Sequence, residues 1–374
     1  MSKPRSSNID IKYNGKNITS KISQLVENFS YTDVASGESD SITIELCNIE
    51  KRWMGAWLPS KGDKIVAKIL MQNWKEKEKN NSFVCGDFIL DEYSFSGRPL
   101  SASFSAASSP QNESFNATKR TKTWEKVTLF EVAKSIATKA NLKIEYDADK
   151  IPIALCEQNN QTDCNFLYEL CKDYGLAMKV YGKKICIFDE EKYEGKKAVA
   201  TIDESEVSSD WSYTTTLAGT YTGAKVSYSN PGNSKDIIVN IGSGKRIYEC
   251  NISADNYADA ERKGAALVNH ENKSMTTMSL TIMANPNIVA SSTVNLTGFE
   301  RLNGKYYVDK VRHNVNSSGG YTMSLSLRLV TTRIKSNAAK VVKKAIDSNK
   351  SSASSKTVRI IGNDTIRHIR EEMY

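Results

Sequence analysis

Through the first hundred residues, apolar and polar positions alternate with a period of two, the mark of strands with one buried face. Ile9-Asp10-Ile11-Lys12-Tyr13 leads into Asn14-Gly15, a pair suited to the positive φ angles of a two-residue hairpin, and the chain resumes at Lys16. Ser41–Leu46 and Lys64–Ile69 repeat the alternation, the second after a turn at Gly62-Asp63. Phe83–Phe95 and Leu100–Ala106 follow, joined by Ser96-Gly97-Arg98-Pro99. This pattern predicts an antiparallel sheet or barrel whose second face meets solvent or a partner.

After Pro110 the period becomes helical. Thr128 and Glu131 form a capping box, and Leu129, Val132, Ala133, Ile136, Ala137 and Ala140 follow at helical spacing up to a stop at Asn141. Lys143–Tyr146 reads as a short strand. A second helix runs from about Asp163 to Tyr174 with Gly175 as its cap, and a hairpin follows, Leu176–Val180 with Lys184–Phe188. Strand patterns return from about Ala198: Trp211–Tyr213, Gly223–Tyr228, Met275–Met283, Thr293–Leu296, Lys305–His313 and Tyr321–Leu329. Asn230-Pro231-Gly232-Asn233 is a turn, and one helix interrupts at about Asp255–Asn269.

The expected fold is therefore mainly β with an α/β insertion: two antiparallel β-domains flanking a small α/β domain, plus a C-terminal tail. The expected boundaries are 1–108 for the first β-domain, 109–197 for the α/β insertion, and 198–330 for the second β-domain with its helical insertion near 255–270. Residues 331–374 form a basic linker and a short helical tail.

In that tail, Val341, Val342, Ala345 and Ile346 mark a short amphipathic segment, Thr357–Ile361 reads as a strand, and Asp364 heads a last helix carrying Ile366, Ile369 and Met373. Such a segment cannot bury its apolar side chains alone, so a docking partner is expected. The tail also holds most of the charge. Of the net +8, residues 331–374 supply ten Lys/Arg against four Asp/Glu, which leaves the body close to neutral. No specific nucleic-acid binding is expected from such a body. A DNA-binding protein would have to work through the tail, with affinity falling steeply in salt and vanishing when 331–374 is removed.

At 374 residues and 39% hydrophobic content, the chain has material for two or three cored domains. No apolar run approaches the roughly 20 residues of a membrane-spanning helix, and Met1–Asn8 lacks the apolar stretch of a signal peptide. No membrane anchor is expected, and synthesis and folding in a cytoplasm are. Seven cysteines occur without C-x-x-C spacing, and only three histidines exist.

Catalytic motifs do not assemble. Gly242-Ser243-Gly244-Lys245-Arg246 has arginine where a phosphate loop needs a hydroxyl, and is expected to be a turn. Cys164 and Cys171 share a helix face and are expected to be core residues. Asp203-Glu204 with Glu206, and Asp189-Glu190-Glu191, could be imagined as glycosidase carboxylates but read better as solvated turn charges. His270 and His313 are expected at the surface. The expectation is a protein without catalytic residues, cofactor or metal.

One run of blocks is distinctive. Phe29-Ser30-Tyr31-Thr32-Asp33-Val34-Ala35-Ser36-Gly37-Glu38-Ser39-Asp40-Ser41-Ile42 leads to Trp53, Trp57-Leu58-Pro59 and Gly62-Asp63. Phe88-Ile89-Leu90-Asp91-Glu92 and Lys122-Thr123-Trp124-Glu125 follow, then Glu157-Gln158, Asp163 and Leu170-Cys171-Lys172-Asp173-Tyr174-Gly175-Leu176. In this order, over about residues 20–330, the chain resembles the phage late control D family, the hub proteins of contractile tails.

The residues that carry the resemblance (Asp33, Gly37, Ser39, Asp40, Trp53, Trp57, Gly62, Asp63 and Trp124) look structural. Asp33 and the Gly37–Ser39–Asp40 segment suit a turn whose side chains bond their own backbone, and Trp53 and Trp57 can cover one patch of core. The resemblance implies tube-like β-domains and a homotrimer whose six similar faces meet a hexameric tail tube. It also implies a central spike and baseplate wedges as partners, in the baseplate of a phage or a phage-tail-like bacteriocin. The alternative in a different class is a tail-associated module that binds or degrades cell wall. The basic tail stands where some relatives carry a fused lysozyme or a β-helical spike, and its expected docking anchors are Val341, Val342 and Ile346, or Ile366 and Ile369.

Overall fold

The computed structural model describes residues 4–74, 80–108, 113–229, 236–318 and 320–336. Thirteen strands from both ends of that chain join in one sheet. From one edge its order is Ser212–Thr215, Thr276–Met283, Tyr321–Leu329, Gly304–Asn316, Val26–Val34, Ser41–Cys47, Ser101–Ala107, Asn80–Ser96, Lys64–Gln72, Ser6–Tyr13 and Lys16–Asn17. Thr293–Thr297 pairs with the first residues of Gly304–Asn316, and Ala200–Asp203 pairs with it in turn.

The two β-rich regions thus meet edge to edge. Val26–Val34 runs antiparallel to Gly304–Asn316, in register from Lys310 opposite Val34 to Asn316 opposite Asn28. They also share one core, in which Ile11, Phe29, Ile42 and Leu90 belong to the same cluster as Leu280, Val294, Val311 and Leu325. The Asn80–Ser96 strand turns a corner within the first region. Its opening residues pair with Lys64–Gln72, its closing ones with Ser101–Ala107, and the register shifts between Leu90 and Glu92. Such an irregularity bends a strand and increases its twist, which curls the sheet over its apolar face.

The central α/β unit forms as its pattern predicts. The Leu129–Lys139 helix begins with the capping box: Thr128 Oγ1 accepts from the Glu131 amide at 3.3 Å, and Glu131 accepts from the Thr128 amide at 2.8 Å. That helix and Asp163–Asp173 bury Val132, Ile136, Leu167 and Leu170 against Ile185 and Ile187 of a three-stranded sheet. Lys119–Thr128 and Pro152–Thr162 add an antiparallel pair that strand patterning does not reveal, because most of its residues are exposed.

The helix expected near 255–270 spans Tyr257–Glu271 and belongs to a second small α/β unit with three strands of its own, Gly223–Ser229, Asp236–Gly242 and Ile247–Asn251. Val226, Val239, Ile241, Ala265 and Val268 form its core. Gly264 brings the helix onto the sheet, since a Cβ there would lie 2.5 Å from a Val226 methyl. Gly242–Arg246 is the expected turn, between the second and third of these strands. The tail anchors Val341, Val342, Ile346, Ile366 and Ile369, and the Asn230–Asn233 turn, lie outside the described residues.

Candidate assembly junction

Asp33, Gly37 and Asp40 converge where the two β-regions and the inserted unit meet. Asp40 is fully buried. Its carboxylate accepts from the Tyr31 hydroxyl at 2.8 Å and from the Val34 amide at 3.1 Å, the local bonding expected of this turn. Asp33 instead reaches across the molecule and accepts from the Ala290 amide at 2.8 Å. Lys179, from the inserted Leu176–Tyr181 strand, pairs with both carboxylates, lying 2.9 Å from Asp40.

Around them Ser36 Oγ accepts from the Met178 amide and the Gly37 amide donates to the Met178 carbonyl, both at 3.2 Å. The Ala35 amide donates to the Asp309 carbonyl at 2.9 Å. Gly37 has φ +88°, and a Cβ there would stand 3.0 Å from the Tyr168 hydroxyl, so this position favours glycine twice over. Ser39 is half-buried in the same bend. Burial pushes the Asp40 carboxyl up, Lys179 opposes that, and the Asp33 charge adds to it. Lys179 is itself held above its ordinary value by the two carboxylates, against the cost of burial. Two carboxylates share one cation here, so loss of Lys179 would leave both buried without an opposite charge.

A second buried network ties the end of the inserted unit to the start of the tail. Glu190 is expected among solvated turn charges, but it is buried with Glu194 on the Glu190–Gly195 helix. Glu190 pairs with Lys273 at 2.7 Å and Arg333 at 3.2 Å, and Glu194 with Arg333 at 2.7 Å and with Arg328. Arg328 also holds Asp309 at 2.9 Å. Burial alone would raise the Glu190 carboxyl, but Lys273, Arg328 and Arg333 overcome it and hold it down at about 2. These cations lie 83 to 143 residues away in sequence, so no local pattern marks the pair as buried.

His313, expected at the surface, is fully buried, because its strand continues to Asn316 and the imidazole faces the shared core. It stacks on Tyr31 at 5.4 Å, sits 4.6 Å from the Phe83 ring, and its Nδ1 lies 2.7 Å from the Tyr321 hydroxyl. Burial lowers its pKa to about 4. His270 is half-buried and also lowered to about 4, by burial and by Lys273 and Lys172.

Trp53 and Trp57 pack edge-on at 5.2 Å, and Trp53 meets Phe104 at 5.0 Å. They line an apolar hollow of about 300 Å³ with Ile11, Leu46 and Leu90, beside the exposed side chains of Ile49, Met54 and Leu58. Gly62 and Asp63 shape the nearby turn: the Gly62 amide donates to the Leu90 carbonyl at 2.8 Å, and Asp63 accepts from the Ser60 amide and from Asn14, each at 2.8 Å. Those bonds and the Tyr13 hydroxyl hold the Asp63 carboxyl below its ordinary value against slight burial. Trp124 is buried on its strand, with the Lys122 ammonium 3.4 Å from the ring centre.

Cys164 and Cys171 lie in and against the helical core as expected, and all seven cysteines are free. Among the described residues no group of three or more His, Cys, Asp or Glu is placed to hold a metal ion, and no helix is long and apolar enough to cross a membrane. The two buried networks tie the β-regions, the inserted unit and Arg333 into one arrangement.

The fold recurs in solved structures. The 43 kDa tail protein of prophage MuSo2 from Shewanella oneidensis superposes with a TM-score of 0.65 at 12% identity, covering 87% of this chain and 98% of that one. The chain has the fold of that phage tail protein. A component of the E. coli type VI secretion system, itself similar in structure to T4 bacteriophage tail proteins, superposes with a TM-score of 0.51 at 7% identity, over 83% of this chain and 74% of that one. In sequence the chain is 26% identical over 174 residues to a probable baseplate hub protein of Escherichia phage 186. That stretch is 46% of this chain and 42% of the phage protein, so the match spans under half of that relative. No family model matches the chain.

Proposed function

We propose that the chain is the structural hub of a contractile-tail baseplate, in a phage or a phage-tail-like bacteriocin, and that it works without enzymatic activity. In this reading three copies close into a ring, and the two β-regions of each copy present six similar faces to a hexameric tail tube. The ring joins that tube to a central spike, with the baseplate wedges attached around it. Synthesis takes place in the bacterial host cytoplasm, and the assembled place of the protein is the particle baseplate.

The observation that carries this reading is the continuous sheet. Two β-regions from opposite ends of the chain pair through Val26–Val34 and Gly304–Asn316 and share one core, so a load on one region passes to the other through main-chain hydrogen bonds. Buried ion networks at Asp33–Asp40–Lys179 and Glu190–Glu194–Arg328–Arg333 brace the inserted units against that sheet.

The test is co-expression with the tail tube and spike proteins of the same particle. Co-purification of all three, with no release of fragments from peptidoglycan, supports the hub. Peptidoglycan degradation by the chain alone overturns it in favour of a wall-degrading module.

A further inference from the structure

A cleft of about 660 Å³ lies between the inserted α/β unit and the second one. Phe166 and Leu170 of the Asp163–Asp173 helix form its apolar floor with Ile252 and Leu267, the latter on the Tyr257–Glu271 helix. Three carboxylates, Glu157, Glu169 and Asp173, stand exposed around it together with the half-buried Lys172 and His270, and no described cation lies within ion-pair distance of the three carboxylates. Lys263, the cation deepest in the wall, is already engaged, 3.2 Å from Asp259 and 2.8 Å from the Ser253 carbonyl. An apolar floor with three exposed carboxylates around it suits a basic segment with an apolar face.

The described chain ends on the opposite face of the Tyr257–Glu271 helix from this cleft. Asn269 bonds both backbone groups of Ile334, at 2.8 and 2.9 Å, and Ser336 Oγ donates to Glu261 at 3.2 Å. The chain therefore runs along the Tyr257–Glu271 helix toward that helix's N-terminus. Lys263 and Leu267 face the cleft from the other side of the same helix, since two residues are 200° of helical turn. Half the girth of a helix about 10–12 Å across is roughly 16–19 Å. Five residues of extended chain, Ser336 to Val341, reach up to about 17 Å. The next stretch carries Lys340, Lys343 and Lys344 around Val341, Val342 and Ile346.

We propose that residues 340–346 of the chain's own tail occupy this cleft, with Val341, Val342 and Ile346 on its apolar floor and Lys340, Lys343 and Lys344 against Glu157, Glu169 and Asp173. This holds the tail against the second α/β unit and leaves Ile366 and Ile369 for a partner. It stands whether or not the chain is a baseplate hub, because its occupant is the chain itself.

The test uses the full chain and a zero-length carbodiimide cross-linker, read by mass spectrometry with a mixture of isotopically light and heavy protein. The expected result is light–light and heavy–heavy links from the tail lysines to Glu157, Glu169 or Asp173. Hydrogen exchange over 155–174 and 263–270 should become faster in a chain ending at Ser336. The full chain carrying Glu169→Lys and Asp173→Lys, both exposed positions, should exchange like the shortened one. Mixed light–heavy links overturn occupation by the chain's own tail in favour of a second copy. Absence of links, with exchange unchanged by shortening, overturns the proposal altogether.

Discussion

The Asp33 carboxylate accepts the Ala290 amide at 2.8 Å, across 257 residues of chain. One side chain at the end of a strand in the first β-region thereby holds a loop of the second, while Lys179 clamps the same carboxylate from the inserted unit. Removing the clamp leaves Asp33 and Asp40 buried without their cation. Lys179→Met is expected to destabilise the fold by about 3–5 kcal/mol. A fall in the denaturant midpoint at unchanged m-value checks this, and an unshifted midpoint would show the junction to be incidental.

Gly37 carries two constraints that substitution can separate. Gly37→Ala is expected to cost about 1–2 kcal/mol for the left-handed backbone, with a further steric part against the Tyr168 hydroxyl. Adding Tyr168→Phe should recover the steric part alone. A double-mutant cycle on urea unfolding measures the coupling.

Acid should loosen the seam between the β-regions. His313 has its pKa lowered to about 4 in the fold, against 6.5 when exposed, so the unfolded chain binds the proton first. Stability is whole above about pH 6.5 and declines as pH falls toward 4, by up to about 3 kcal/mol from this residue. Glu190, lowered to about 2 from 4.5, gives stability that is whole above about 4.5 and is lost as pH falls further. Asp40, whose carboxyl is raised, works in the opposite direction above its exposed value of 3.8. Unfolding free energy followed from pH 8 to 4 should fall for the wild type, and the limb between 6.5 and 4 should become shallower in His313→Gln, the remainder coming from His270, which is lowered likewise.

Trp53 meets both Trp57 and Phe104, so truncating it opens a void that its neighbours cannot fill. Trp53→Ala is expected to cost about 3–5 kcal/mol. Leu58→Ser, at an exposed position beside the same hollow, should leave stability within about 0.5 kcal/mol. Thermal melts of the two variants side by side check the contrast.

Much of this architecture is legible in the residues, for identifiable reasons. Alternation reveals Ser41–Cys47 and Lys64–Gln72 because one face of each is apolar and the other is not. It hides Val26–Val34, the strand that joins the two β-regions, because Ser30 and Asp33 are buried polar residues that interrupt the pattern. The capping box marks the Leu129–Lys139 helix because its two bonds are local.

The networks that hold the units together are not local. Lys179 sits unremarked between Met178 and Val180, and only the fold brings it to Asp33 and Asp40. Glu190 reads as a turn charge until Lys273, Arg328 and Arg333 are placed around it. His313 was misplaced because the strand extends three residues past it, which turns an apparent strand end into mid-strand core.

The central claim, a hub ring of three copies, is tested most directly by native mass spectrometry of the purified chain together with two-dimensional electron-microscopy averages. The account predicts a species of three times 41.6 kDa that appears as a ring with a central opening. A compact monomer at every concentration, alone and mixed with its tail tube and spike proteins, would contradict it.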